Sequence, residues 1–202
     1  MNRLFVIAAP SGAGKTSLIH ELRRRDPTLR MCVSHTTRPR RSTEVDGVDY
    51  HFTDVAHFES MIAADAFLEY ARVFDHYYGT SRAALTTAFE GGHDVILEID
   101  WQGARQVRAR ETSCASLFVL PPSRAELERR LRARRTDSDE VIARRLRDAV
   151  DDMSHYREFD YVIVNADFER ALADAREVIA GRGEQLRAER AELAPLLVEL
   201  LA

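Results

Sequence analysis

Short apolar runs, separated by stretches in which apolar residues recur every three or four positions, set the rhythm of this chain. Leu4–Ala9, HDVILEID at 93–100, ASLFVL at 115–120 and DYVIVN at 160–165 are almost continuously apolar. That is the pattern of strands covered on both faces. Thr16–Arg25 places Leu18, Ile19 and Leu22 on one helical face. Gln102–Arg110, Ser123–Arg134, Ser138–Tyr156 and the stretch from Phe168 onward predict further helices. Ser123 and Glu126 form an S-x-x-E start signal after a Pro-Pro pair. Strand alternating with helix predicts an α/β fold with a mostly parallel sheet.

The stretch from about 34 to 83 breaks this rhythm. DYHF, FLEYARVF and HYYGTS are short and alternating, with one helix expected at about 54–64, started by Asp54. This predicts a small mixed β lobe inserted into the α/β core. Residues 134–147 are rich in Arg and acid and poor in apolar side chains, as a mobile cover would be. After Gly181 and Gly183, EQLRAERAELAPLLVELLA reads as a charged helix with an apolar tail.

The chain has 202 residues, 45% hydrophobic and 31% charged, which suits one soluble globular domain with small insertions. No apolar run reaches the roughly 18–20 residues that span a bilayer. The apolar start is short and leads straight into a glycine loop, so it is expected to be a buried strand and not a secretory signal. Cys32 and Cys114 have no metal-like spacing and read as reduced thiols of a cytosolic protein. A net charge of −4 gives no general attraction to nucleic acid or anionic membranes. The 29 basic residues comprise 28 Arg and one Lys, Lys15. An ammonium is a compact point charge and a guanidinium a broad fork, so a role that Arg does not fill is expected at Lys15.

Lys15 lies in Ala9-Pro10-Ser11-Gly12-Ala13-Gly14-Lys15-Thr16. In the pattern G-x-x-x-x-G-K-[ST], a strand ends in a turn whose N–H groups wrap a phosphate. The Lys meets the β- and γ-phosphates and the hydroxyl binds Mg²⁺. The helix that follows adds its N-terminus and dipole. Ala at the first position departs from the strict pattern by one methyl group and is tolerated if its φ stays negative. Glu98 and Asp100, at the end of the 93–100 strand, are the acids expected beyond a strand's carboxyl end.

The inserted lobe is dense in phosphate and base chemistry. Ser34, Arg38, Arg40 and Arg41 share one stretch, and two or three Arg on a loop grip a phosphate bidentately. Tyr50, Tyr77, Tyr78 and Thr80 add hydroxyl donors, although for any one Tyr core packing is an equal reading. Glu69, in FLEYA, is either an exposed acid on an edge strand or a base reader. Guanine offers N1–H and N2–H₂ donors to two carboxylate acceptors, whereas adenine brings an acceptor at N1.

These stretches together resemble guanylate kinase. The carrying segments are AAPSGAGKTSL, VSHTTRPRR, GVDYHF, FLEYARVFDHYYGTS, VILEIDWQGARQV and DSDEVIARRL…MSHYREFDYVIVN, over about residues 4–184. The resemblance implies a P-loop NTPase-type parallel sheet flanked by helices, an inserted mixed β lobe for GMP and a helical lid. The divisions would be a core of 1–33, 84–124 and 157–184, a GMP lobe of 34–83, a lid of 125–156 and a helical tail of 185–202. It implies phosphorylation of GMP, and of dGMP, by ATP with Mg²⁺ in the cytoplasm. Ser34, Arg38, Arg41, Tyr50 and Tyr78 would hold the GMP phosphate. Glu69 and Thr80 would read guanine, and Asp100 would sit near GMP and reach the metal through water. The loop Ala9–Thr16 would serve ATP, with Lys15 catalytic, Thr16 on Mg²⁺ and Asn165 near the adenine. Arg38, Arg134 and Arg145 would be catalytic, the last two as lid arginines. ATP and GMP are the partners implied, with no nucleic acid or membrane; the sequence leaves a homo-oligomer open. Two departures are Ala133-Arg134-Arg135, where the family has GRG, and Val164-Asn165-Ala166, where it has VND. The rival readings are a noncatalytic module of the same fold and a related kinase for ribose 1,5-bisphosphate.

Overall fold

The computed structural model describes residues 2–73, 75–133 and 138–202. In chain order they form β1 (Leu4–Ala8), α1 (Lys15–Arg25), β2 (Leu29–Met31), β3 (His35–Thr36), β4 (His51–Phe52), α2 (Val55–Ala63), β5 (Phe67–Val73) and β6 (His76–Ser81). There follow α3 (Arg82–Phe89), β7 (Asp94–Glu98), α4 (Trp101–Arg110), β8 (Ala115–Leu120), α5 (Arg124–Ala133), α6 (Asp139–Ser154), β9 (Tyr161–Val164), α7 (Phe168–Ile179) and α8 (Ala194–Leu201). The expected α/β architecture is present. A parallel five-stranded sheet, in the order β2-β7-β1-β8-β9, is flanked by helices, and a separate mixed sheet has the order β4-β3-β6-β5. β1 is buried throughout, as a strand covered on both faces must be.

Two compact units divide the chain. The first comprises Met1–Val6 and Pro27–Ala115. It contains the mixed sheet, in which β3 runs parallel to β4 and antiparallel to β6, and β5 pairs antiparallel with β6. Phe58 of α2, fully buried, stacks on Phe67 at 4.4 Å and on Tyr77 at 5.1 Å between centroids. Asp54 starts α2 as expected, its Oδ1 accepting from His57 N at 2.7 Å. β2 and α3 were not foreseen. β2 is three residues long, too short for periodicity to show, and α3 has only one buried residue, Leu85. Its N-cap, the Ser81 hydroxyl that accepts from Ala84 N at 3.1 Å, sits at the end of a strand.

The second unit comprises Ile7–Asp26 and Ser116–Ala202. Here α7 buries Ala171, Leu172, Ala175, Val178 and Ile179 along one stripe. The Asp160 carboxylate accepts from Ser116 N (2.8 Å) and Oγ (2.7 Å), tying the entry of β9 to β8. The start of α5 carries half of the anticipated capping box. Ser123 Oγ accepts from Glu126 N at 3.0 Å, while the Glu126 carboxylate takes Arg129 and Arg130, each at 2.7 Å. The continuous helix expected after Gly183 is not what forms. Short 3₁₀ turns occupy Glu184–Leu186 and Ala191–Leu193, and only α8 is α-helical. Arg187 bridges Tyr161 as a strand residue and lays its guanidinium 4.7 Å from that ring. Pro195 has no N–H and fits only a first turn, so a helix begins beside it instead of running through.

His35 of β3 lies 4.7 Å from the His51 ring and 5.8 Å from Phe67. Burial, then charge on His51 and His57, pushes its pKa down to about 4, with Asp46 opposing. The unfolded imidazole titrates near pH ~6.5. Below that pH the unfolded chain binds a proton that the folded lobe excludes, so stability is lost as pH falls from about 6.5 towards 4. Urea titrations between pH 7 and pH 5 should show a loss of up to about 1.4 kcal/mol per pH unit from this group. His35→Phe should flatten that slope.

Candidate active site

The glycine loop is a backbone device. Gly12 and Gly14 have φ of 93° and 94°, the left-handed region that other residues avoid. Ala9 is not among the positive-φ residues, so its extra methyl meets no backbone strain. Gly14 heads α1 with no side-chain cap, and no acid occupies the first turn. The positive end of the helix dipole therefore lies at the glycine loop, where it favours an anion. Lys15 is the first helical residue and Thr16 the second, the latter exposed.

Two residues from outside the loop hold it. Asn165, 4% exposed, donates its Nδ2 to Ala13 O at 2.7 Å. Arg130 donates to the same carbonyl at 3.3 Å and to Asn165 O at 2.9 Å. A Cβ built on Gly14 would fall inside contact distance of Asn165 Nδ2. Arg130 escaped notice in the sequence, where it reads as one more helix-surface arginine. Its place four residues after Glu126, whose carboxylate takes its Nε, was the only local sign.

A cluster of arginine, tyrosine and acid gathers beside the mixed sheet. The Arg38 guanidinium lies 5.5 Å from the Tyr50 ring and 5.8 Å from Phe52, and Tyr50 and Tyr78 meet edge-on at 5.9 Å. Burial, with the charge of Glu98 second, lifts the Tyr50 phenol to about 12. Glu44, which the sequence did not single out, accepts from Arg38 at 2.6 Å and from Arg41 N at 2.8 Å. Burial opposes the charge of this acid, but Arg38 and Arg41 prevail and hold its pKa below the usual value. Arg41 and Arg40 remain exposed at their side chains. Tyr77 and Tyr78 part company by strand alternation: Tyr77 stacks on Phe58 in the lobe interior, Tyr78 faces Tyr50.

Glu69 is not an exposed edge acid; it is 2% exposed. The β5–β6 register shifts between Phe67 and Glu69, so the residues Phe67, Leu68 and Glu69 are all buried. A bulge of this kind re-aims the side chain that follows. Glu69 then pairs across the ladder with Thr80, itself fully buried, and Thr80 Oγ1 lies 3.4 Å from Ser34 Oγ. Cys32 registers the acid: burial first, then the charge of Glu69, lifts its thiol to about 12. Asp100 caps α4, its Oδ1 accepting from Gly103 N at 2.8 Å. A Cβ built on that same Gly103 would overlap Glu69 Oε2 and lie 3.3 Å from Asp100 Oδ1, so both acids border one glycine.

The structure thus gathers Ser34, Glu69 and Thr80 at one place, with Asp100 beside Glu69. Arg38, Tyr50 and Tyr78 form a second group, joined to Arg41 through Glu44. The phosphate loop and Asn165 form a third. Arg145 is half-buried on α6, on the stripe of buried Ile142 and Ala149. Arg134 lies outside the described residues.

The family model described as guanylate kinase matches residues 1–182. The chain belongs to the guanylate kinase family. The guanylate kinase of Alkalilimnicola ehrlichii is 53% identical over 198 residues, covering 98% of both chains. That of Methylococcus capsulatus is 54% identical, covering 98% of this chain and 97% of its own. The crystal structure of guanylate kinase from Anaplasma phagocytophilum matches with a TM-score of 0.74 at 29% identity, over 97% of this chain and 93% of that one. Membership in the guanylate kinase family accounts for a glycine loop and a separate mixed sheet in one chain. Gly14→Ala should cost about 1–3 kcal/mol, from a left-handed φ imposed on a side chain and from contact with Asn165. Urea denaturation measures it, and an unchanged midpoint would show that the loop accepts a Cβ.

Proposed function

We infer that this chain is a guanylate kinase, transferring the γ-phosphoryl group of ATP to GMP, and to dGMP, to give ADP and GDP. The observation that carries the reading is the buried Glu69 carboxylate opposite Thr80, in a chain that also opens α1 with an uncapped glycine loop. Guanine's N1–H and N2–H₂ donate to Glu69, and the Thr80 hydroxyl supplies a further polar contact to the base. AMP would set its N1 lone pair against the carboxylate, a mismatch that a buried site penalises strongly. Arg38, Arg41, Tyr50, Tyr78 and Ser34 take the phosphate of GMP, with Glu44 holding the two arginines in place until the nucleotide arrives.

Ala9–Thr16 wraps the triphosphate, and Lys15 places its charge at the β- and γ-phosphates. Asn165 and Arg130 fix the shape of that wrapping through Ala13. This bond sets Asn165 at the loop, and the adenine is its proposed second contact. The donor set suits Mg²⁺: Thr16 offers a hard hydroxyl oxygen. Among the described residues no group of three His, Cys, Asp or Glu could hold a cation by itself; in this reading phosphates and water supply most of the Mg²⁺ ligands. Mg²⁺, when bound with ATP, neutralises charge on the phosphate oxygens. Asp100 stands near GMP and reaches that cation through water.

The reaction needs an oxygen of the GMP phosphate in line with the γ-phosphorus, and positioning with charge stabilisation supplies most of the acceleration. No general base is required. Arg145, with Arg134, is assigned to the charge on the moving phosphoryl group, from a lid segment of 125–156. Residues 34–83 take the acceptor and 185–202 form a tail. No described helix is long and apolar enough to cross a membrane. The two cysteines are free thiols, which suits the reducing cytoplasm, where ATP and GMP are also found.

An ADP-release assay across GMP, dGMP, AMP, UMP and ribose 1,5-bisphosphate tests the reading: turnover with GMP and dGMP is expected. No turnover, or turnover confined to the sugar bisphosphate, would refute it. Arg38→Ala should raise KM for GMP by at least about 30-fold, the effect of losing one charge-assisted phosphate contact, with KM for ATP little changed. Glu69→Gln should lose most of the preference for GMP over AMP in the same assay.

A further inference from the structure

Gly103 is anomalous in its setting. It sits in the first turn of α4, is buried, and has an ordinary helical conformation with no positive φ. Glycine is among the poorest helix formers, and alanine would serve the helix better. No backbone requirement therefore explains the residue; only its surroundings do. A Cβ there would overlap Glu69 Oε2, approach Glu69 Cδ to 3.1 Å and crowd Asp100 Oδ1 at 3.3 Å.

The strand that carries Glu69 is in no position to back away. Gln106, one turn further along the same face, grips both backbone groups of Tyr70. Its Oε1 accepts from Tyr70 N at 3.2 Å and its Nε2 donates to Tyr70 O at 2.7 Å. Arg110, a turn beyond, donates to the carbonyls of Phe67 and Leu68 at the bulge. Residues 103, 106 and 110 share one helical stripe, so α4 is clamped to β5 on both sides of Glu69. With the two backbones fixed, a methyl at 103 can be relieved only by the far end of the Glu69 side chain. That end is the carboxylate assigned to the base, and at 2% exposure it has little room.

We propose that Gly103 is a specificity-determining position: its missing side chain lets the Glu69 carboxylate lie against α4 in the pose that reads the guanine edge. This rests on the assignment of Glu69 to the purine. Gly103 touches no substrate and acts through Glu69. Gln106 and Arg110 hold the distance at which it matters.

The test compares Gly103→Ala, Glu69→Ala and the double variant, with Glu69→Gln as the control for the underlying reading. Gly103→Ala should raise KM for GMP at least about tenfold, leave KM for ATP within about twofold, and shrink the preference for GMP over AMP, as expected when a buried polar group is moved off its partner. In the Glu69→Ala background the same substitution should change KM for GMP by less than about threefold, because the atoms it displaces are gone. An unchanged KM for GMP in Gly103→Ala, or equal effects in both backgrounds, would overturn the inference while Glu69→Gln still loses selectivity. Were Glu69→Gln itself to keep the preference, the reading of Glu69 would fall first and this inference with it. Should Gly103→Ala be too unstable to assay, the double variant must regain its melting temperature. A double variant as unstable as the single one would overturn the contact.

Discussion

The buried Glu69 carboxylate is the constraint on which the proposed acceptor site depends. Taking Glu69 out of water costs free energy, and in the proposed function that cost is also the source of its discrimination between purines. A hydrogen bond to a charged, desolvated acceptor is stronger than one in water, and an unmatched acceptor brought against it is correspondingly more unfavourable. The fold places this group with several devices at once. A bulge before Glu69 turns the side chain inward, the ladder sets Thr80 opposite, and α4 grips the backbone on either side. Each is modest alone; together they hold the backbone on both sides of Glu69.

The glycine loop follows the opposite logic. Where the unit with the mixed sheet buries a carboxylate, the loop ends at the positive pole of a helix. Two left-handed glycines lead into a helix start that carries no side-chain cap. The side chains that fix the loop, Asn165 and Arg130, bind its carbonyl at Ala13. Sequence and chemistry agree here because a carbonyl oxygen pointing at an anion would repel it. Arginine serves nearly everywhere else in this chain, and the single lysine stands where a compact charge suits the narrow loop.

Much of this was legible in the sequence, for reasons of range. The loop is a motif of eight adjacent residues and its context is the strand and helix on either side, so spacing alone reveals it. Asp54 and Ser123 announced helix starts because capping acts over three residues. Glu69 drew notice as an acid among apolar neighbours. What escaped was mostly long-range. Gln106 meets Tyr70 from 36 residues away and Arg130 meets Ala13 from 117. Nothing in either local pattern could show that. Glu44 is local, yet a carboxylate beside arginines is too common a surface feature to stand out. Gly103 did leave a sign, a glycine inside a helix where alanine is better, but its reason exists only once β5 lies against α4. The tail failed differently. Its charged residues suit a helix, and Pro195 and the Arg187–Tyr161 bridge override that preference.

Binding without catalysis isolates the central claim, that a buried acid selects the purine by accepting from two of its donors. Calorimetric titration of the full chain, free of ATP, with GMP, IMP and AMP measures it directly. IMP keeps N1–H but lacks the 2-amino group, and AMP presents an acceptor at N1. GMP should bind at least about tenfold tighter than IMP, one charge-assisted hydrogen bond's worth, and AMP should bind weakest. Equal affinities for the three nucleotides would contradict the claim.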